Sequence, residues 1–170
     1  YKILSNEDIY IKGFATNEGT NKFRDEAINK GISRFHFKRF DDLILTSIGM
    51  GTYLGDLSEQ DDKNIENALY ESVKSRAINV IDSAINYRAM KSEKSIGRAI
   101  TKLLTDGIIS RDEIFVSTKN GYITNDGDYP RIDVLEYMQR MFISSGVIKA
   151  EDISSSYNVL NPNYINKCIE

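Results

Sequence analysis

Between Leu43 and Tyr122, three short apolar runs alternate with two stretches of helical spacing. The runs are "LILTSIGMG", "INVID" and "EIFVSTKNGY". The first intervening stretch, "SEQDDKNIENALYESVKSRA" from Ser58, repeats apolar residues at Ile65, Ala68, Leu69 and Val73. Acids stand at its front and cations at its back, as a helix dipole favours. The second, "SEKSIGRAITKLLTDG", carries Ile96, Ala99, Ile100, Leu103 and Leu104 on one face, with Ser92 placed to cap it and Gly107 to end it. Strand, helix, strand, helix, strand is the pattern of a parallel sheet or barrel with helices outside, so the expected class is α/β.

The flanks are less regular. Residues 1–42 read as an N-terminal extension outside the core, with turn signals at Gly19 and Gly31 around one short helix over about Thr20 to Asn29. Residues 43–170 carry the strand and helix alternation. After the third strand, "ITNDGDYP" is rich in turn residues and "RIDVLEYMQRMFISSG" reads as a helix presenting Val134, Leu135, Met138 and Met141. A further helix is expected from Asn161 or Pro162. No repeat of fixed period is present.

Composition removes several function classes. The formal net charge is only -3, with acids and bases interspersed, so a phosphate-backbone partner is not expected. No apolar run approaches the roughly 20 residues that cross a bilayer, and the opening "YKILSNEDIYIKGF" lacks the layout of a signal peptide, so a cytoplasmic protein without membrane contact is expected. Cys168, the sole cysteine, can form no internal disulfide and is given no role. The single histidine, His36, leaves too few ligands for a zinc site and too few partners for a Ser-His-Asp triad, and is read as structural.

In parallel βα architectures, sites form where the loops leave the carboxyl ends of the strands. Asp82 closes the second strand, Tyr87 follows in its loop, and Lys119 closes the third. Gly49, Gly51, Thr52 and Tyr53 follow the first. Neighbouring strands run about 4.8 Å apart, so Asp82, Tyr87 and Lys119 can meet. A phenol is a weak acid, with pKa about 10, and an adjacent ammonium stabilises its anion while a carboxylate keeps the ammonium charged and in place. Such a group suits protonation of a carbonyl oxygen while hydride reaches its carbon from a nicotinamide, because no side chain donates hydride. Each residue also has an ordinary use: a strand-end Asp orients a loop, a strand-end Lys is solvated, and there are ten tyrosines. A noncatalytic barrel-like binding or regulatory subunit is therefore an alternative. Another is a phosphate loop at "GMGTYLG", but G-x-G-x-x-G would place glycine where Leu54 stands, with Gly55 one position late.

"VIDSAINYRAMKSEKSIGRAI" resembles the signature of the aldo-keto reductase family through Asp82, the small pair Ser83 and Ala84, Tyr87 five residues after the Asp, Ser92 and Glu93, and Ile96 and Gly97. "EIFVSTKNGY" is similar to the family's third strand with its terminal Lys, here Lys119, and "IGMGTYLG" to its first strand and loop. "FATNEGTNKF" is similar to an N-terminal segment of a less-studied branch.

The resemblance implies a (β/α)8 TIM-barrel type fold and reduction of an aldehyde or ketone to an alcohol with NADPH, without metal; the choice between NAD and NADP stays open. It implies that Tyr87 is the general acid, that Lys119 stabilises its anion, and that Asp82 pairs with Lys119. Gly51, Thr52, Tyr53 and Asp82 would lie against the cofactor, and Glu93 would be structural. The family's catalytic histidine ends a fourth strand, and His36, lying before the first strand, cannot replace it. A complete barrel of this kind takes about 250 residues. The chain is thus expected to be truncated, to supply about the first three βα units, to be inactive alone, and to associate with itself or with the missing C-terminal half.

Overall fold

The computed structural model describes residues 11–128 and 132–169. The opening at residues 1–10, read above for a signal peptide, and Tyr129, Pro130 and Arg131, at the junction of the turn-rich segment and the next helix, lie outside the described residues. The elements are α1 (Asn17–Asn29), β1 (Phe37–Phe40), β2 (Leu43–Thr46), β3 (Met50–Gly51), α2 (Glu59–Lys74), β4 (Val80–Asp82), α3 (Lys91–Thr105), β5 (Phe115–Ser117), α4 (Val134–Met138) and α5 (Pro162–Ile169). The alternation from β3 to β5 is the one read from the sequence. Strands β3, β4 and β5 form one sheet in that order. Its hydrogen bonds advance in the same direction on β4 and β5, from Phe115 N to Asn79 O (2.8 Å) and from Ser83 N to Ser117 O (2.8 Å), so the pair is parallel. Among the described residues the sheet has three strands and does not close into a barrel.

The chain forms two compact units. One comprises residues up to 50, 66–81 and 96–116; the other comprises 51–65, 82–95 and the segment from 117 onward. In the first, Phe23, Leu69, Val73, Ile81, Leu103 and Ile114 are fully buried in one apolar cluster. Each such side chain contributes about 1.5–3 kcal/mol of transfer free energy. Helix α3 buries Ile96, Ala99, Ile100 and Leu103 as its periodicity requires. It ends where Gly107, at φ +66, lets Gly107 N reach Leu104 O (3.1 Å) and Ile108 N reach Leu103 O (2.9 Å).

Several expectations are corrected. Helix α1 begins at Asn17, three residues early, because the Thr16 hydroxyl accepts from Gly19 N. Its Phe23 and Ala27 are core residues, so the segment up to 42 is not outside the core. "LILT" does not open the parallel sheet. It pairs antiparallel with Phe37–Phe40, Phe40 opposite Leu43, across the tight turn at Asp41 and Asp42. The first parallel strand is only Met50–Gly51. On α2, Ala68 is exposed and the buried stripe is Asp62, Ile65, Leu69 and Val73. His36 is structural as read: Nε2 lies 2.7 Å from Ala77 O and Nδ1 3.0 Å from Ser47 Oγ.

In the second unit, Ile123, Met138, Phe142, Ile148, Val159 and Tyr164 form a separate buried cluster. The Tyr164 hydroxyl donates to Tyr122 O at 2.8 Å. Asp133 caps α4, accepting from Leu135 N and Glu136 N, and the helix continues as a π turn over Gln139–Ile143. Met138 and Phe142 lie inside while Leu135 and Met141 are exposed, so half of the expected stripe is reversed. Helix α5 starts at Pro162, as expected.

Candidate active site

The site lies within the second unit, at the carboxyl ends of β4 and β5. Ladder bonding runs past both strands, with Ile85 N donating to Lys119 O at 2.9 Å, so the chain stays in register through Lys119. That register brings the side chains of Asp82 and Lys119 together. Lys119 Nζ lies 2.8 and 2.7 Å from the two carboxylate oxygens, and both side chains are about half exposed, 50% and 49%. The ammonium stands over the Tyr87 ring, 5.0 Å from its centroid. Hydrogen bonding to Asp82 in the first place, and to Tyr87 after it, pushes the Lys119 pKa above its ordinary value, so the amine is a fixed cation at neutral pH. The three residues singled out by spacing thus stand in one cluster.

Tyr53 packs edge-on against Tyr87, ring centroids 5.1 Å apart. Its own ring is largely exposed, and Gly51 faces open space. A planar ligand can approach over these two residues and the half-exposed Asp82. Thr52 cannot offer its side chain in the same way: it is buried, with its hydroxyl 3.1 Å from Asp82 O and 3.0 Å from Ser83 Oγ. Gly51 is followed by the long loop 52–58 before α2 begins at Glu59, which is not the glycine loop opening directly into a helix that a phosphate fingerprint requires.

Ser92 does not cap α3, which begins one residue earlier. The Ser92 hydroxyl, fully buried, donates instead to Thr52 O at 2.7 Å and ties the β3 loop to the start of α3. Glu93 accepts from the Thr118 hydroxyl.

Three residues escaped sequence reasoning. Arg88 directly follows Tyr87, and its buried guanidinium donates from Nε and Nη2 to Asp56 O (2.9 and 2.7 Å) and from Nη2 to Asp62 Oδ1 (2.7 Å). Lys91 Nζ takes the other Asp62 oxygen at 2.7 Å. Burial alone would raise the Asp62 pKa, but the bonds from Lys91 and Arg88 outweigh it and hold the carboxyl below its ordinary range. Asp62 stands at the head of the buried stripe of α2. Arg88, Ala89 and Met90 all have left-handed backbone, φ 49, 49 and 68. Against this turn lies Gly127, whose N–H donates to Ala89 O at 2.7 Å. A cavity of about 330 Å³ opens on the far side of the same loop, lined by Ile85, Met90, Glu93 and Phe142 among others, and neither Tyr87 nor Lys119 borders it.

The model of the Aldo/keto reductase family matches residues 47–163, from the loop before β3 to the first turn of α5. No curated protein matches the chain. With well over half of its length matched, the chain belongs to the aldo/keto reductase family of oxidoreductases, which generally use NAD(P)H and whose domain is of the α/β TIM-barrel type.

Proposed function

We propose that Asp82, Tyr87 and Lys119 form the proton-donating corner of an NAD(P)H-dependent reduction of an aldehyde or ketone to an alcohol. The observation that carries the reading is the placement of one ammonium, Lys119, against both the Asp82 carboxylate and the Tyr87 ring at the ends of two parallel strands. Asp82 keeps Lys119 charged and fixed, and the cation stands against the ring whose hydroxyl would give the proton. A bound reduced nicotinamide supplies hydride to the carbonyl carbon. The Tyr87 hydroxyl gives its proton to the carbonyl oxygen, so the product is the neutral alcohol. Gly51, Tyr53 and Asp82 are the residues that would hold the cofactor, with NADPH the favoured form, and Thr52 would act by shaping that loop from within.

In this proposal residues 43–170 are the first part of a (β/α)8 barrel in a cytoplasmic enzyme, following an N-terminal segment at residues 1–42. The remaining βα units come from further sequence or from an associating segment and bring the histidine that orients the carbonyl. No helix among the described residues is long and apolar enough to cross a membrane.

The experiment is NADPH oxidation with an aldehyde, by the 170-residue chain alone and by the chain reconstituted with a polypeptide carrying later βα units of an aldo/keto reductase. The chain alone is expected to show no turnover. The reconstituted form is expected to turn over and to lose about 10²–10⁴-fold on Tyr87→Phe, the usual contribution of a positioned acid. Turnover unaffected by that substitution would overturn the assignment and favour a noncatalytic binding role. Turnover by the chain alone, abolished by Tyr87→Phe, would overturn only the need for further units.

A further inference from the structure

We infer that Arg88, held by Asp62, is the positioning residue for Tyr87: it clamps the loop carrying Tyr53 to the loop carrying Tyr87 and thereby sets the angle at which the phenol meets Lys119. The inference rests on the role of Tyr87 proposed above. Arg88 follows Tyr87 directly, so its guanidinium fixes the backbone that carries the phenol. Its acceptors, Asp56 O and Asp62 Oδ1, lie beyond Tyr53 in the β3–α2 loop and in the first turn of α2, with Ser58 O 3.4 Å away between them. The two loops it joins carry the two rings that touch at 5.1 Å.

The arrangement is costly for a merely structural contact. Three successive non-glycine residues, Arg88 to Met90, hold left-handed backbone, a conformation that L side chains disfavour. Arg88 Nη1 is buried without a hydrogen-bond partner among the described residues, a further cost of holding the guanidinium there. Such strain persists only where the surroundings over-determine it, and here it is concentrated in the three residues after Tyr87. What over-determines it is the Asp62 carboxylate, whose two oxygens are divided between Arg88 and Lys91, the residues flanking Ala89 and Met90. Arginine suits this set of acceptors because its planar guanidinium spreads donors over Nε and Nη2, which together reach Asp56 O, Ser58 O and Asp62 Oδ1, whereas an ammonium presents its donors from a single nitrogen.

The test is NMR of the labelled 170-residue chain, with the Tyr87 ring signals identified by their loss in Tyr87→Phe. Wild type is expected to show a nuclear Overhauser contact between the Tyr53 and Tyr87 rings and an Arg88 Nε–H protected from exchange. Absence of either overturns the inference without any variant. Arg88→Lys and Asp62→Asn are each expected to abolish the ring contact and shift the Tyr87 ring signals while the circular dichroism of the helices persists. Ala89→Gly, which relieves the turn and leaves the clamp, is expected to keep both. Persistence of the ring contact in folded Arg88→Lys and Asp62→Asn overturns the inference.

In the reconstituted enzyme, the same two substitutions are expected to lower kcat at least tenfold with the KM for nucleotide unchanged. If instead Tyr87→Phe has no effect on turnover while the ring contact still depends on Asp62, the catalytic reading fails and the clamp stands.

Discussion

Lys119 donates to both carboxylate oxygens of Asp82, at 2.8 and 2.7 Å, and so has one orientation above the Tyr87 ring. The pair is half exposed, and at that exposure an ion pair contributes about 0–1 kcal/mol to stability. Its effect is on geometry. Asp82→Asn is therefore expected to leave the unfolding free energy within about 1 kcal/mol of wild type, while releasing Lys119 from its place. Urea unfolding together with a 15N titration of Lys119 checks this; the Lys119 pKa should fall toward its ordinary value, because the carboxylate is the main group raising it.

Stability is governed elsewhere. Glu113, fully buried, accepts from Arg76 Nη1 at 2.7 Å and from Lys22 Nζ at 2.8 Å, and Arg76 also pairs with Glu26 and donates to Ile108 O. Removing one member of such a set leaves a buried charge uncompensated. Glu113→Ala is expected to cost about 3–5 kcal/mol, a large part of the 5–15 kcal/mol typical of a domain. The urea midpoint should fall with the slope unchanged.

The buried carboxylates give the pH dependence a definite sign. Glu113 is held below the ordinary carboxyl range: burial opposes this, but Lys22, the Ser110 backbone and Arg76 outweigh it. Asp62 behaves alike. Folded-state values below the unfolded ones mean that this stability is present above about pH 4 and is lost as pH falls through the folded values. Lys91, raised chiefly by its bond to Asp62, contributes stability present below about pH 10 and lost as pH rises through its folded value. A plateau in Tm across neutral pH, falling on both sides, is expected, and Asp62→Asn should flatten part of both slopes.

Gly127 permits the close approach that the turn after Tyr87 requires. A Cβ there would meet Lys91 Cδ at 2.9 Å and Ala89 O at 3.0 Å. Gly127→Ala is expected to weaken protection of the Gly127 amide against hydrogen exchange, since its bond to Ala89 O is the contact displaced. Unchanged protection would show that the turn moves as a body with its neighbour.

The sequence made the parallel core and the Asp82, Tyr87 and Lys119 cluster legible because both depend on order: apolar runs ending in polar residues place those side chains at strand ends whatever the tertiary detail. The hairpin of β1 and β2 was not legible. "FKRF" exposes three of its four residues, so it lacks the alternation that marks a half-buried strand, and "LILT" alone cannot say which neighbour it pairs with. The Asp62 clamp was missed for a different reason. A charged residue in a helix first turn has an ordinary explanation in the dipole, and only the burial of its side chain beside Arg88 and Lys91 distinguishes it. From the end of α4 the buried positions are Met138 and Phe142 and not Met138 and Met141, and both i+3 and i+4 spacings fit a helical face, so the periodicity alone does not choose between them.

The most direct test of the Asp82, Lys119 and Tyr87 corner as a proton-donating site is the rate of NADPH oxidation with an aldehyde in the reconstituted enzyme, compared between wild type and Tyr87→Phe at equal nucleotide occupancy. A loss of at least about 10²-fold on removing one hydroxyl is the expected result. Equal rates in the two proteins would contradict it.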